Sequence, residues 1–213
     1  MSLIALLPGF ACQSWIWDEL RAELAAQHDL ILIDWPADHG GVYNTPGALA
    51  DWAIQEHLPC GTEMFLVGHS MGGLVALEVA TQLGARVKGV ALLESFLTPP
   101  SEFFRNLLMD SAPDDLRSRV TAMLACGKQE SSAALRASLG RVDYLDTAYR
   151  LAGKITALYG DRGCGDMARV RSALAWPAPL MNQVSLRLVS SACHFPMLEN
   201  PKAVLGILNE AGL

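Results

Sequence analysis

The sequence predicts an α/β protein: a three-layer α/β/α domain around a six-stranded, mostly parallel sheet. Three observations carry that expectation. Apolar or β-branched runs at 3–7, 30–33, 64–67, 90–93 and 155–159 lack polar alternation, as suits strands buried on both faces of a parallel sheet. Helical patterns lie between them, and parallel neighbours joined by helices imply right-handed crossovers. Finally, 213 residues with 51% hydrophobic and 18% charged content can fill one substantial core, which excludes a disordered chain.

Taken in order, the first helix follows Ser14, after which Trp17, Leu20 and Leu24 recur at helical spacing. Residues 71–83 carry Leu74, Val75, Leu77, Val79 and Leu83, apolar nearly all round, and stop at Gly84, a suitable residue just past a helix end. The run 184–189 differs, with Val184, Leu186 and Leu188 alternating against Ser185, Arg187 and Val189, as a half-exposed edge strand would. Asn200 and Pro201 form an N-cap and first helical position, predicting a last helix that buries Val204, Leu205 and Leu208.

One stretch breaks the alternation. Helical patterns occur at 102–109, at 113–125 after an N-cap at Ser111, at 131–139 and at 143–152, with Leu116, Val120, Met123 and Leu124 as an apolar stripe. They predict a helical insertion at about 97–153 lying over one end of the sheet. The whole of 1–213 is then a single domain whose body is 1–96 and 154–213.

Net charge is 16 minus 22, or −6, with a pI near 5.3. That balance excludes a phosphate-tracking nucleic-acid binder, which needs clustered Lys and Arg. Cys12, Cys60, Cys126, Cys164 and Cys193 are scattered with no CxxC pair. This disfavours a structural zinc site or disulfide framework and favours a cytoplasmic setting. The apolar start lacks a basic region and a small-residue cleavage site, so it reads as a strand rather than a signal peptide. The uncharged stretches between Glu63 and Glu78 and between Arg171 and Arg187 are shorter than a membrane span. No metal-ligand spacing, Walker loop or dinucleotide fingerprint is present. The expectation is a small-molecule substrate, no cofactor or metal, no nucleic-acid or membrane partner, and a monomer or homodimer.

The sharpest local pattern is Gly68-His69-Ser70-Met71-Gly72. Gly-x-Ser-x-Gly alone is weak, but here Ser70 follows an apolar strand directly and precedes a helix, the strand–turn–helix context of a nucleophile elbow. The competing reading is an ordinary strand-to-helix turn that happens to hold a serine. Ser70 needs a base. His28 and His57 fall in helical or polar stretches and read as solvated, His39 sits in a Gly-rich loop, and His69 should point away from the nucleophile. His194 lies between the edge strand and the last helix, in a loop at the carboxyl end of a strand, where α/β sheets place their chemistry. A structural loop histidine is the alternative.

Together, Leu6-Leu7-Pro8-Gly9-Phe10, Gly68-His69-Ser70-Met71-Gly72 and the late His194 followed by Glu199-Asn200-Pro201 resemble the α/β-hydrolase superfamily over nearly the whole chain outside the insertion. The resemblance implies a serine hydrolase, with the insertion as its cap and an oxyanion hole from the backbone N–H groups of Phe10 and Met71. It also implies that the chain starts at the family's third strand, lacks the first two, and has strand order 2-1-3-4-5-6. The switch point then falls between strands one and three, which lead to Phe10 and Ser70.

The acid departs from the pattern. The family's usual acid sits three residues after the Gly ending the strand at Tyr159-Gly160, and that position is Gly163. Glu94, at the end of the strand 89–94, is the preferred candidate, with Asp161 and then Asp166 as alternatives. A carboxylate there would accept the His194 Nδ1–H; otherwise Glu94 is a sheet-end carboxylate paired with a cap donor. The expected activity is hydrolysis of a small to medium carboxylic ester or thioester through an acyl-enzyme. A carbon–carbon bond hydrolase, lactonase or perhydrolase, or a non-catalytic ligand-binding relative, are the alternatives.

Overall fold

The computed structural model describes residues 2–38 and 41–213; His39 lies outside the described residues. Six strands form one sheet: β1 (Leu3–Leu7), β2 (Asp29–Leu32), β3 (Met64–His69), β4 (Val87–Leu93), β5 (Ile155–Gly160) and β6 (Ser185–Val189). Their order is β2-β1-β3-β4-β5-β6, and every pairing is parallel. The helices are α1 (Asp18–Ala25), α2 (Pro46–Glu56), α3 (Met71–Leu83), α4 (Asp114–Glu130) and α5 (Ala133–Leu139), followed by α6 (Leu145–Leu151), α7 (Met167–Leu174), α8 (Ala178–Gln183), α9 (Pro196–Glu199) and α10 (Pro201–Glu210).

The pleat of the sheet divides the apolar strand residues between two cores. Ala5, Leu7, Leu66, Leu92, Ala157 and Tyr159 face a cluster with α2, α3, α6, α7 and α8. Their neighbours Ile4, Leu6, Val67, Ala91, Leu93 and Leu158 face the other side, with α1, α4, α9 and α10. Both faces are therefore covered, which explains why the central strands show no polar alternation. At the edge, β6 exposes Ser185 and Arg187 while Leu186 is buried and Leu188 half-buried, as the alternation predicts. Val189, expected on the exposed side, is buried instead, because it packs into the cluster with α10. Asn200 caps α10 by accepting from the Ala203 N–H at 3.2 Å, Val204 and Leu208 are buried, and Leu205 is half-buried.

The segment between β4 and β5 holds α4, α5 and α6, and these divide between the two cores. Val120 and Met123 of α4 join one, whereas Leu135 of α5 and Ala148 of α6 join the other. Two details differ from expectation. The pattern at 102–109 yields only a 3₁₀ turn at Glu102–Phe104, because the backbone beyond it bonds across the molecule. The Leu107 C=O accepts from His194 N–H at 3.0 Å, and Met109 N–H donates to Glu199 at 2.6 Å. Helix α4 is preceded by Pro113 rather than capped by Ser111. Among the described residues, no helix is long and apolar enough to cross a membrane.

Register positions the site. Leu7 pairs with Gly68, His69 with Leu93, Leu93 with Leu158, and Gly160 with Val189. The strands thus end nearly level, and the residues just beyond their carboxyl ends lie side by side.

Candidate active site

Ser70 occupies the turn between β3 and α3 with φ 52° and ψ −120°, a conformation that L-residues with side chains avoid and that often marks functional positions. The two glycines flanking it are required by space. A Cβ on Gly72 would overlap the carbonyl oxygens of Leu7 and Pro8, and one on Gly68 would overlap the backbone of Gly72 and Gly73. The Ser70 N–H still continues the sheet ladder, donating to Leu93 C=O at 2.8 Å. Met71 is the first residue of α3, where a helix leaves its N–H without an internal partner. The loop after β1 passes close by: a Cβ built on Gly9 would stand 3.2 Å from Ser70 Cβ and 2.8 Å from His69 Nδ1. This brings Phe10, one residue on, to the neighbourhood of Ser70.

His194 sits in the loop between β6 and α9. Its backbone is held on both sides, by Leu107 C=O at 3.0 Å and by His69 Nε2, 2.8 Å from its carbonyl oxygen. A carbonyl only accepts, so His69 carries its proton on Nε2. Burial, reinforced by the nearby His194, holds His69 well below the ordinary histidine range, so it is neutral. The side chain of His69 is therefore turned toward the His194 loop, its ring 4.8 Å from the His194 ring. The His194 ring stacks near-parallel on Phe96 at 6.0 Å and meets Phe195 edge-on at 5.4 Å.

Ser70 and His194 line one cavity of about 330 Å³ whose walls include Met71, Leu74, Phe96, Phe104, Leu107 and Val142. A concave, mainly apolar space with a few polar groups is the usual form of a small-molecule site.

Glu94 stands one residue past β4 with φ 50° and is fully buried. Its Oε2 lies 3.5 Å from His194 Nδ1. The same carboxylate accepts from Gly160 N–H at 2.7 Å and from both terminal nitrogens of Arg162, at 2.8 and 2.6 Å. The other two candidate acids are engaged elsewhere. Asp161 Oδ1 accepts from the N–H groups of Gly163 and Ser191, both at 2.8 Å, and Asp166 caps α7 through Ala168 N–H at 2.8 Å. Among the described residues, Glu94 is the carboxylate within ion-pair distance of His194.

Three side chains here escaped the sequence reading of the site. Arg162 had no signal at all. Sequence alone gives His69 a direction but no partner. Glu199 was part of the motif but without a task; its two oxygens accept from Met109 and Cys193 N–H at 2.6 and 2.7 Å, tying the His194 loop to the 105–109 segment. Burial raises the Glu199 carboxyl, opposed by these two hydrogen bonds. Burial also pushes the Cys12 thiol up to about 12 and Cys193 up to about 11, so neither is a ready thiolate nucleophile. Among the described residues, no three His, Cys, Asp or Glu side chains converge as a metal site requires.

A family model described as the alpha/beta hydrolase family matches residues 4–207. The fold is similar to that of a bromoperoxidase from Bacillus anthracis, with a TM-score of 0.78 and 12% identity over 99% of this chain and 91% of that one. It is also similar to a thermophilic esterase from Thermogutta terrifontis, with a TM-score of 0.63 and 22% identity over 99% and 89%. A hydrolase from Oleispira antarctica gives a TM-score of 0.74 and 13% identity over 99% and 90%. At these identities the likeness concerns the fold. Among curated proteins, 92 residues are 33% identical to the nonribosomal peptide synthetase agiA of Aspergillus flavus, covering 40% of this chain. The chain spans about 1% of the length of that relative.

Proposed function

The chain belongs to the alpha/beta hydrolase family, and from that premise we propose that it is a serine hydrolase cleaving a small to medium carboxylic ester or thioester through an acyl-enzyme. The observation that carries this reading is the convergence of Ser70 and His194 on one apolar-walled cavity, with the Glu94 carboxylate 3.5 Å behind the His194 ring.

Ser70 Oγ attacks the substrate carbonyl while His194 Nε2 takes its proton. Glu94 steadies the imidazole through Nδ1 and stabilises the imidazolium that forms. Negative charge growing on the carbonyl oxygen is met by the N–H groups of Phe10 and Met71; one such donor is commonly worth about 3 kcal/mol in the transition state. His194 then protonates the departing alcohol or thiol. A water deprotonated by the same histidine attacks the acyl-Ser70 ester and releases the acid. Leu74, Phe96, Phe104 and Leu107 offer the acyl group an apolar wall, which supports an acyl or aryl substrate.

The test is labelling with a fluorophosphonate probe, with turnover of p-nitrophenyl esters of graded chain length, beside Ser70→Ala and His194→Ala. Both variants should lose about 10⁴–10⁶ in kcat, and Ser70→Ala should lose all labelling. A parent protein that neither labels nor turns over any ester of the series would sink the serine hydrolase reading and leave a ligand-binding relative.

A further inference from the structure

We propose that Arg162 is a positioning residue for this reaction, clamping Glu94 in the orientation that keeps one carboxylate oxygen for His194. The inference rests on the Ser70–His194–Glu94 reading above. The guanidinium grips both oxygens of Glu94, Nη1 on Oε1 at 2.8 Å and Nη2 on Oε2 at 2.6 Å. Oε1 also accepts Gly160 N–H at 2.7 Å, so its two acceptor positions are filled. Oε2 retains one, and it is this oxygen that stands 3.5 Å from His194 Nδ1. A planar fork on a planar carboxylate sets the plane as well as the place of the group.

Arg162 is itself held from three directions. Its Nη1 donates to Gly160 C=O at 2.6 Å, and its backbone N–H donates to Ala192 C=O at 3.0 Å, two residues before His194. The guanidinium carbon lies 4.6 Å from the centre of the Phe104 ring. The side chain is 6% exposed and its backbone is at φ 52°. The clamp therefore joins the end of β4, the end of β5 and the loop carrying His194. The turn after β5, where the family resemblance places an acid, supplies instead a cation that orients an acid from the neighbouring strand.

A cation that merely neutralised a buried carboxylate could equally be a lysine, whose ammonium is a point charge and cannot span both oxygens. Arg162→Lys thus separates the two roles. Per active site, counted by fluorophosphonate titration, Arg162→Lys should keep KM and lose about 10- to 100-fold in kcat, as misplaced catalytic groups typically do. In a Glu94→Gln background the same substitution should cost nothing further, because its effect passes through Glu94. Full kcat in Arg162→Lys overturns the proposal, since charge alone then suffices. An equal loss in both backgrounds also overturns it, since Arg162 then acts elsewhere. A parent protein that fails to label overturns the serine mechanism and the clamp together, whereas a labelled parent with additive losses overturns the clamp alone.

Discussion

The turns after β3 and β5 make an instructive pair. Each leaves the carboxyl end of a parallel strand, each holds a non-glycine residue at φ 52°, Ser70 in one and Arg162 in the other, and each is bracketed by glycines. In the first, the strained residue faces a cavity; in the second, it is buried against a carboxylate. Ser70 is placed by its sequence neighbours, since Gly68 and Gly72 open the space that the turn needs. Arg162 is placed by a partner 68 positions away. Strain at a strand end thus accompanies either a cavity-facing side chain or a buried, paired one, and only the partner tells them apart.

The sharpest way to break this comparison is to exchange the expected roles of the carboxylates. Glu94→Gln should lower kcat by about 10³–10⁴, the scale seen when a triad acid becomes an amide. Asp161→Asn, in the β5 turn, should leave kcat unchanged and cost about 1–3 kcal/mol of stability through its weakened bonds to Gly163 and Ser191. Steady-state ester kinetics and urea unfolding on both variants decide the point. An inactive Asp161→Asn beside an active Glu94→Gln would invert the assignment.

Next in size is a steric contrast between the turns. Gly72→Ala drives a methyl into the carbonyls of Leu7 and Pro8, backbone that cannot swing aside, and should cost about 3 kcal/mol. Gly163→Ala meets only the flexible end of Met109 at 3.1 Å, at φ +74°, and should cost about 1–2 kcal/mol from the left-handed backbone. Urea midpoints at constant m measure both. Equal losses would mean that the β3 turn is no tighter than the other.

The smallest effect is a pH slope. Burial, and then His194, depress His69 in the folded protein, so below about pH 6.5 the unfolded chain binds a proton that the folded one refuses. Stability is therefore fully present above that pH and falls as acid is added, by at most about 1.4 kcal/mol per pH unit from this group. His69→Gln should flatten the slope between pH 6.5 and 5 in urea titrations. An unchanged slope would show that another group carries it.

Legibility followed the range of the interactions. Strands β1, β3, β4 and β5 announced themselves because burial on both faces leaves an uninterrupted apolar run. Strand β2 carries such a run too, although it lies at the sheet edge and is only half-buried or exposed. The α10 start was legible because Asn200 and Pro201 act within one turn of it. Helices α7 and α8, of eight and six residues, were not singled out, since so few residues barely complete a hydrophobic period. The helix expected over 102–109 stopped after one turn because Leu107 and Met109 bond to His194 and Glu199, some 90 residues on.

By itself, then, the sequence determined the parallel sheet, the strand-to-helix turn at Ser70 and the candidacy of His194. Each is marked by a pattern within a few residues: an apolar run, a Gly-x-Ser-x-Gly turn, or a loop ending at a capped helix start. The tertiary structure alone decided which carboxylate faces His194, that Asp161 and Asp166 serve their own turns, and that Arg162 and His69 hold the catalytic candidates from behind. Those outcomes depend on where separate strands end relative to one another. Hydrogen bonds reaching a few ångströms between β4, β5 and the β6–α9 loop leave no mark on any single stretch of chain.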